Sequence, residues 1–240
     1  MAALCCVRRL FSIDLAIPQL RLPWSCVIAT HPLPARRLSP CSDDVINDFF
    51  ARKAVEKGAD GLIAVASGAG GHAGSASAFA MVQELRAWYD GPLALAGSIA
   101  SGKSVLAAQA MGADFAYVGS AFIATHEANA TDAYKQAIVD NDSTAIVNSN
   151  LFTGVHGNYL RPSIVAAGLD PDNLPEGNVK NMSFGQGEGK KDVSKAWRDI
   201  WGCGQGIGHI TAVEGAEAVV DRLAAEYADA ATELESKKMV

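Results

Sequence analysis

Cysteine is scarce in this chain and does not pair up. The 240 residues hold five, Cys5, Cys6, Cys26, Cys41 and Cys203, an odd number without zinc-like spacing. Four of them lie in the N-terminal stretch that ends at Cys41. A disulfide framework is therefore not what organises the fold, and the cysteine usage suits a reducing cytoplasm. No uninterrupted apolar run approaches the roughly 20 residues that span a bilayer, so no membrane partner is expected. A basic excess is missing too. The formal net charge is −6, which offers no overall positive field to nucleic acid or an anionic membrane. No pair of the form H-x₃₋₅-H points to a metal.

What is present describes a folded protein. Apolar residues make up 49% and charged ones 19%, the composition of a globular domain with a real core. Charge is unevenly spread. Residues 1–42 carry Arg8, Arg9, Arg21, Arg36 and Arg37 against Asp14 alone, about +4, which leaves about −10 for the rest. Pro18, Pro23, Pro32, Pro34 and Pro40 break every candidate helix there, and no clean alternation marks a strand. An Arg-rich, acid-poor start is also the composition of a transit peptide, but Asp14 and Pro18 interrupt the amphipathic helix that should accompany one. Residues 1–42 are read as a disordered or mis-assigned leader, and residues 43–240 as one structural unit.

From Ser42 the pattern becomes regular. Ser42-Asp43-Asp44 predicts an N-cap, followed by apolar residues at helical spacing (Val45, Ile46, Phe49, Phe50, Val55) up to Gly58. Leu62 to Val65 reads as a buried strand, and its apolar continuity favours a parallel sheet. A glycine-rich loop, Ser67 to Ser75, leads to a helix over Ser77–Tyr89. A strand follows at Leu93–Ala96, a helix at about Lys103–Met111, and a strand at Phe115–Val118 that ends in Gly119-Ser120. Gly58-Ala59-Asp60 and Gly112-Ala113-Asp114 both close a helix and launch a strand. This is βαβ grammar, hence a parallel sheet. Further on, a helix is expected over Ala130–Val147, with capping by Thr131. A loop-rich stretch comes next, over 154–191. A final amphipathic helix is expected from about Val213 to Ala230.

Two readings compete for Gly97 to Ser104. The spelling G-x-x-x-x-G-K-S matches a nucleotide P-loop, with a strand before and a helix after. The magnesium-binding carboxylate such an enzyme needs is missing, because the strands end in Ser67-Gly68 and Gly119-Ser120, and Asp221 falls inside a predicted helix. The other reading takes three strand ends together: Ser67–Ser75, Gly97–Gly102 and Gly119–Ser120. Each lies where α/β proteins build sites, and two Gly-Ser turns beside helix starts form a clamp for one phosphate. Tight turns alone would also explain the glycines. His72, between Gly70-Gly71 and Gly74, is the sole ionisable side chain of its loop. It suits proton transfer or anion binding, and equally a loop histidine bonded to backbone. Cys203 lacks a cationic neighbour that would mark a thiolate, and Trp197 and Trp201 are read as packing.

GADGLIAVASGAGGHAGS, PLALAGSIASG and GADFAYVGSAFIATHEA resemble three consecutive blocks of the nitronate monooxygenases, formerly called 2-nitropropane dioxygenases. GVHGNYLRPSI and WGCGQGIGHI resemble later blocks, and the likeness runs from about Ala51 to Tyr227. The resemblance implies an α/β fold, the last three βα units of an FMN-binding (β/α)₈ TIM barrel, plus a helical C-terminal region. It implies His72 as the active-site histidine, with Gly70 and Gly71 beside the cofactor. It also implies Gly97 and Ser98 as the phosphate turn after the seventh strand, where Gly-Gly is common. Gly119 and Ser120 match the turn after the eighth, where Gly-Thr is common. The implied cofactor is FMN. The implied reaction is oxidation of an alkyl nitronate by dioxygen to a carbonyl compound and nitrite, with the histidine as base for neutral nitroalkanes. The first five strands have no counterpart before Leu62, so an N-terminally truncated member is expected, impaired or inactive on its own or completing another chain's barrel. A related FMN-dependent enoyl-thioester reductase is the nearest alternative activity.

Overall fold

The computed structural model describes residues 26–29, 42–177 and 199–237. The remaining part of the expected leader, Trp197 and much of the loop-rich stretch lie outside the described residues.

A five-stranded sheet organises the described residues, in the order β1-β6-β5-β3-β2. β1 (Cys26–Ala29) is followed by β2 (Ser42–Val45), α1 (Asp48–Glu56), β3 (Gly61–Val65), β4 (Gly71–His72) and α2 (Ala78–Arg86). Then come β5 (Leu93–Ala96), α3 (Gly102–Met111), β6 (Phe115–Val118), α4 (Ser120–Ile123) and α5 (Asp132–Val139). β7 (Ile146–Ser149), β8 (Gly157–Leu160), α6 (Arg161–Ala166) and α7 (Ala216–Ser236) complete the series. β2, β3, β5 and β6 run parallel, and β1 is antiparallel to β6.

Two strands of this sheet differ from expectation. Ser42-Asp43-Asp44 does not cap a helix. It extends as β2, paired Asp44↔Ile63 and Val45↔Ala64 with β3, so the parallel sheet has four strands where three were predicted. Only Val45 of the four is buried, which is why apolar patterning missed it. The helix starts later because Asn47 supplies the better cap, its side chain accepting from the Phe50 N–H at 3.1 Å. Within the region read as strand-free, the backbone of Cys26–Ala29 pairs with β6.

Local signals place the other helices. Ser77 caps α2, Thr131 caps α5, and Ser101 and Ser104 form a reciprocal capping box on α3. Gly112 ends α3 at φ +108°, a left-handed conformation that favours glycine. Asp114 just beyond accepts from Arg86 at 2.6 Å and from the Leu93 N–H at 2.9 Å, tying the start of β6 to β5.

Strand alternation sorts the sheet into two faces. Leu62, Ala64, Leu93, Leu95, Ala116 and Val118 join the main core with Met81, Val82, Leu85, Val219 and Leu223 from the helices. Burying each large side chain there is worth roughly 1.5–3 kcal/mol. Ile63, Val65, Ala96 and Tyr117 form the opposite face.

The expected helix over Ala130–Val147 is shorter. α5 ends at Val139, and Asp142 caps a short 3₁₀ turn by accepting from the Thr144 N–H at 2.8 Å. The chain then enters an antiparallel hairpin, β7 with β8. The stretch read as loop contains β8 and α6. β8 also pairs with β4 (Gly71↔Asn158, His72↔Gly157), making a second, three-stranded sheet. The final helix runs to Ser236 and packs across α3. Among the described residues no helix is long and apolar enough to cross a membrane.

Candidate functional site

A cleft of about 310 Å³ opens on the second face of the sheet, at the C-terminal ends of β3, β5 and β6. That is where α/β sheets place ligands, and the volume is at the lower end of small-molecule sites. Gly70, Gly71, His72, Gly97, Ser98, Gly119 and Ser120 all line it. The three glycine-rich strand ends singled out in the sequence thus meet around one cavity.

Several glycines are required by close approach. A Cβ on Gly70 would stand 2.7 Å from the Gly204 nitrogen, and one on Gly204 2.9 Å from the Gly68 oxygen. The segment Gly202–Gly206 therefore lies directly on the loop after β3 and adds Gly202, Gly204 and Gly206 to the cleft wall. The contact is fixed by hydrogen bonds. The N–H groups of Ser98 and Gln205 both donate to the Gly68 carbonyl, at 3.1 and 3.0 Å. The Gly204 N–H donates to Ser120 Oγ at 3.0 Å.

Ser98 stands where φ is +58°, the sole non-glycine residue with positive φ among the described residues. Its side chain lies over Gly68, where a Cβ would come within 2.0 Å of Ser98 Oγ. Gly97 before it has φ +129°. Backbone this contorted, lined by glycine, exposes main-chain groups to a ligand rather than side chains.

Ionisable groups are few. Among the described lining residues the ionisable side chains are His72, Asp44 and Tyr117, and neither Lys nor Arg lines the cleft. Burial, then the Asp43 carboxylate beside it, hold the Asp44 carboxyl above its usual range. Cys203 is fully buried behind the wall, and burial pushes its thiol up to about 12. It is a packing residue, not a nucleophile.

His72 is held by the hairpin. Its Nε2 lies 2.8 Å from Thr153 Oγ1, in the turn between β7 and β8. Asn158 on β8, buried at 1% exposure, donates from Nδ2 to the carbonyls of Ser67 and Ala69, both at 2.7 Å. Its Oδ1 accepts from Asn148 at 3.0 Å. Thr153, Asn158, Asp44, Tyr117 and the 202–206 glycines were not picked out from the sequence. The glycines at alternate positions in WGCGQGIGHI were the available signal. Trp201 in that segment stacks on Tyr134 at 4.9 Å, in keeping with a packing role.

The P-loop geometry is absent. The Gly102 N–H at the start of α3 donates to Glu226 Oε2 at 2.7 Å, and Lys103 Nζ pairs with Glu233 at 2.9 Å. Neither residue lines the cleft. A Cβ on Gly102 would come 2.1 Å from the Tyr227 nitrogen, so this glycine serves the packing of α7 on α3.

Comparison with known proteins adds a lineage to this geometry. A family model described as nitronate monooxygenase matches residues 49–224. The chain is 27% identical over 195 residues to the Mycobacterium tuberculosis protein Rv1533, which carries a monooxygenase name, covering 77% of this chain and 52% of that protein. It is 27% identical over 158 residues to a probable nitronate monooxygenase of Staphylococcus saprophyticus, covering 60% and 44%. The chain thus spans about half the length of the curated relatives it matches. Among solved structures, nitroalkane oxidase from Streptomyces ansochromogenes superposes with a TM-score of 0.66 at 26% identity, over 80% of this chain and 58% of that one. FabK from Thermotoga maritima shares the fold, with a TM-score of 0.65 at 23% identity over 81% and 63%. With nearly three quarters of its length inside the family model and its glycine loops gathered on one cleft, the chain belongs to the nitronate monooxygenase family.

Proposed function

We propose that the cleft binds FMN and serves the oxidation of alkyl nitronates by dioxygen. The observation that carries this reading is the convergence of seven residues, from the ends of β3, β5 and β6, on one glycine-walled cavity. The wall fits the cofactor's chemistry. Among the described residues neither Lys nor Arg lines it, so a phosphate there would be held by main-chain N–H groups, and a cradle of glycines lets them approach. Gly97, Gly119 and Ser120 would offer main-chain N–H groups to the phosphate. Ser98, whose own N–H is bonded to the Gly68 carbonyl, would line it, and Gly70 and Gly71 would flank the ring system near His72. Bound there, FMN would supply the redox chemistry that links oxidation of the nitronate, to a carbonyl compound and nitrite, to reduction of dioxygen. His72 binds the anionic substrate and takes a proton from neutral nitroalkanes.

In barrel terms, β2, β3, β5 and β6 correspond to the last four strands of a (β/α)₈ barrel. The rest of the cofactor's contacts lie on strands this chain does not carry in the described residues. Activity therefore depends on how much of the ring system the cleft alone retains.

The test is direct. The purified chain, supplied with FMN, is expected to retain flavin absorbance through gel filtration, and to consume oxygen and release nitrite with an alkyl nitronate. A chain that keeps no flavin overturns the cofactor assignment. Flavin binding with NADH oxidation on an enoyl thioester, and none on a nitronate, would identify the reductase instead.

A further inference from the structure

The hydroxyl of Thr153 has a single proton and stands between the Val155 carbonyl and the His72 ring. Thr153 Oγ1 is 2.9 Å from the carbonyl oxygen of Val155, which can only accept. Directed at Val155, the hydroxyl proton closes the turn on itself. The Val155 N–H in turn points at the same oxygen from 3.3 Å. With its proton used, Oγ1 faces His72 Nε2 at 2.8 Å as an acceptor. In that arrangement the proton between the two residues is on Nε2.

From this we infer that Thr153 is a positioning residue that fixes the tautomer and the ring orientation of His72. The inference rests on the reading of His72 as the site's base. A neutral imidazole has one N–H, and with Nε2 holding it the lone pair is on Nδ1. Nε2 carries its proton in the imidazolium as well. The bond to Thr153 therefore survives the whole protonation cycle, and the proton taken from substrate arrives at and leaves Nδ1.

Burial and rigidity support the assignment. Thr153 is 7% exposed, and its turn is closed by the Gly154 N–H donating to the Asn150 carbonyl at 2.7 Å. The ladder between β4 and β8 sets His72 opposite Gly157, and the Ala73 N–H donates to the His156 carbonyl at 3.2 Å. Tyr159, 4% exposed, has no hydrogen-bond partner of ordinary geometry at its hydroxyl among the described residues. It still senses the Thr153 hydroxyl, which opposes the upward push of burial on its phenol. The hairpin thus presents a rigid acceptor to the His72 ring.

Nitrogen-15 NMR of the imidazoles in the uniformly labelled full chain tests this, with the His72 signals assigned by their loss in His72→Gln. The wild type is expected to show the Nε2–H tautomer. Thr153→Val and Thr153→Ala are expected to shift His72 to a mixture of tautomers, and Thr153→Ser to restore it. Unchanged tautomers in both Thr153→Val and Thr153→Ala overturn the assignment whatever the turnover. In the FMN-loaded chain, Thr153→Val is expected to slow turnover of a neutral nitroalkane by roughly tenfold or more. Oxidation of the preformed nitronate needs no proton abstraction, so its kcat should fall less than that of the nitroalkane, with the loss of His72 placement appearing in KM. If nitroalkane turnover is instead indifferent to His72→Gln, it is the reading of His72 as base that fails.

Discussion

Glu226 holds the N-terminus of the helix that carries the P-loop spelling. Its carboxylate lies 2.7 Å from the Gly102 N–H, where the helix dipole favours an anion. Arg222, one turn earlier on α7, pairs with the other oxygen of Glu226 at 3.1 Å. The anion site that Gly-Lys-Ser would offer a nucleotide is filled by the protein's own side chain.

Magnesium-ATP is accordingly expected to leave the melting temperature of this chain unchanged, and Lys103→Ala to alter no ligand response. Glu226→Gln is expected to destabilise the fold by about 1 kcal/mol through the lost charge at the helix start. Urea unfolding monitored by circular dichroism measures it, and an ATP-dependent upward shift would refute the assignment.

Gly102 and Gly119 should respond in opposite ways to the same added methyl. At Gly102 a Cβ would meet main-chain atoms of α7 at 2.1–2.5 Å, which no rotamer relieves. Gly102→Ala is expected to cost about 3 kcal/mol or more. At Gly119 nothing lies within 4 Å of a Cβ, and Gly119→Ala should stay within about 0.5 kcal/mol of the wild type. Because Gly119 lines the cleft, its methyl is expected to weaken FMN retention although the fold is intact. Denaturation curves and flavin titrations of the two variants separate packing glycine from ligand glycine.

Gly68 and Ser98 are expected to be coupled. A Cβ on Gly68 would collide with Ser98 Oγ at 2.0 Å and press on Ser98 Cβ at 3.2 Å. Removing the serine side chain clears both obstacles and also relieves a left-handed serine at φ +58°. Gly68→Ala should therefore cost less in a Ser98→Gly background, by about 1 kcal/mol. A double-mutant cycle on unfolding free energies reads this, and additive values would show that the loop yields at the backbone instead.

The proton on Cys203 gives a pH dependence of known sign. Burial raises the folded thiol from 9.0 to about 12, while its hydrogen bonding with Ser120 and the Gly204 backbone only partly opposes the shift. The unfolded chain releases this proton near its ordinary value, and the folded chain keeps it. Stability from the buried thiol is thus fully present below about pH 9 and lost as pH rises towards about 12. Tyrosines titrate in the same window, so the measurement is a difference. Unfolding curves of wild type and Cys203→Ala are expected to converge as pH rises through this range, and parallel curves would exclude the thiol as the cause.

Local chemistry decided how much of this was legible in the sequence. Ser77, Thr131 and Gly112 announce helix ends within a few residues; the helices Ala78–Arg86 and Gly102–Met111 fell close to expectation, whereas the one capped by Thr131 ended early, at Val139. The cleft glycines were legible for the same reason, since a left-handed φ at Gly97 or a contact at Gly70 demands glycine at that position. β2 was not, because Ser42, Asp43 and Asp44 leave Val45 as its one buried residue. The β7–β8 hairpin was hidden more deeply. Its apolar residues Val147 and Tyr159 pack in a separate small cluster with Phe152, Ile164 and Ile200, and its polar residues act at long range. Thr153 meets His72 across 81 residues, and Asn158 meets Ala69 across 89. No local pattern encodes such partners.

Asn158 is where that long-range dependence can be measured. Its amide joins the hairpin to the loop bearing His72 through two carbonyls at 2.7 Å and a third bond to Asn148 at 3.0 Å. Asn158→Leu fills similar space but leaves the Ser67 and Ala69 carbonyls without these donors in a buried setting. Each lost partner costs about 1–3 kcal/mol, so a total loss of about 2–6 kcal/mol is expected. The loop is then free to move away from β8, and the β4–β8 pairing that sets His72 opposite Gly157 should weaken with it. Amide exchange would show this as faster exchange at Ala73, whose N–H is bonded to His156 across the same junction, with α2 and α3 unchanged. If Ala73 keeps its protection in Asn158→Leu while global stability falls, the amide is a core tie alone and His72 is placed by the ladder.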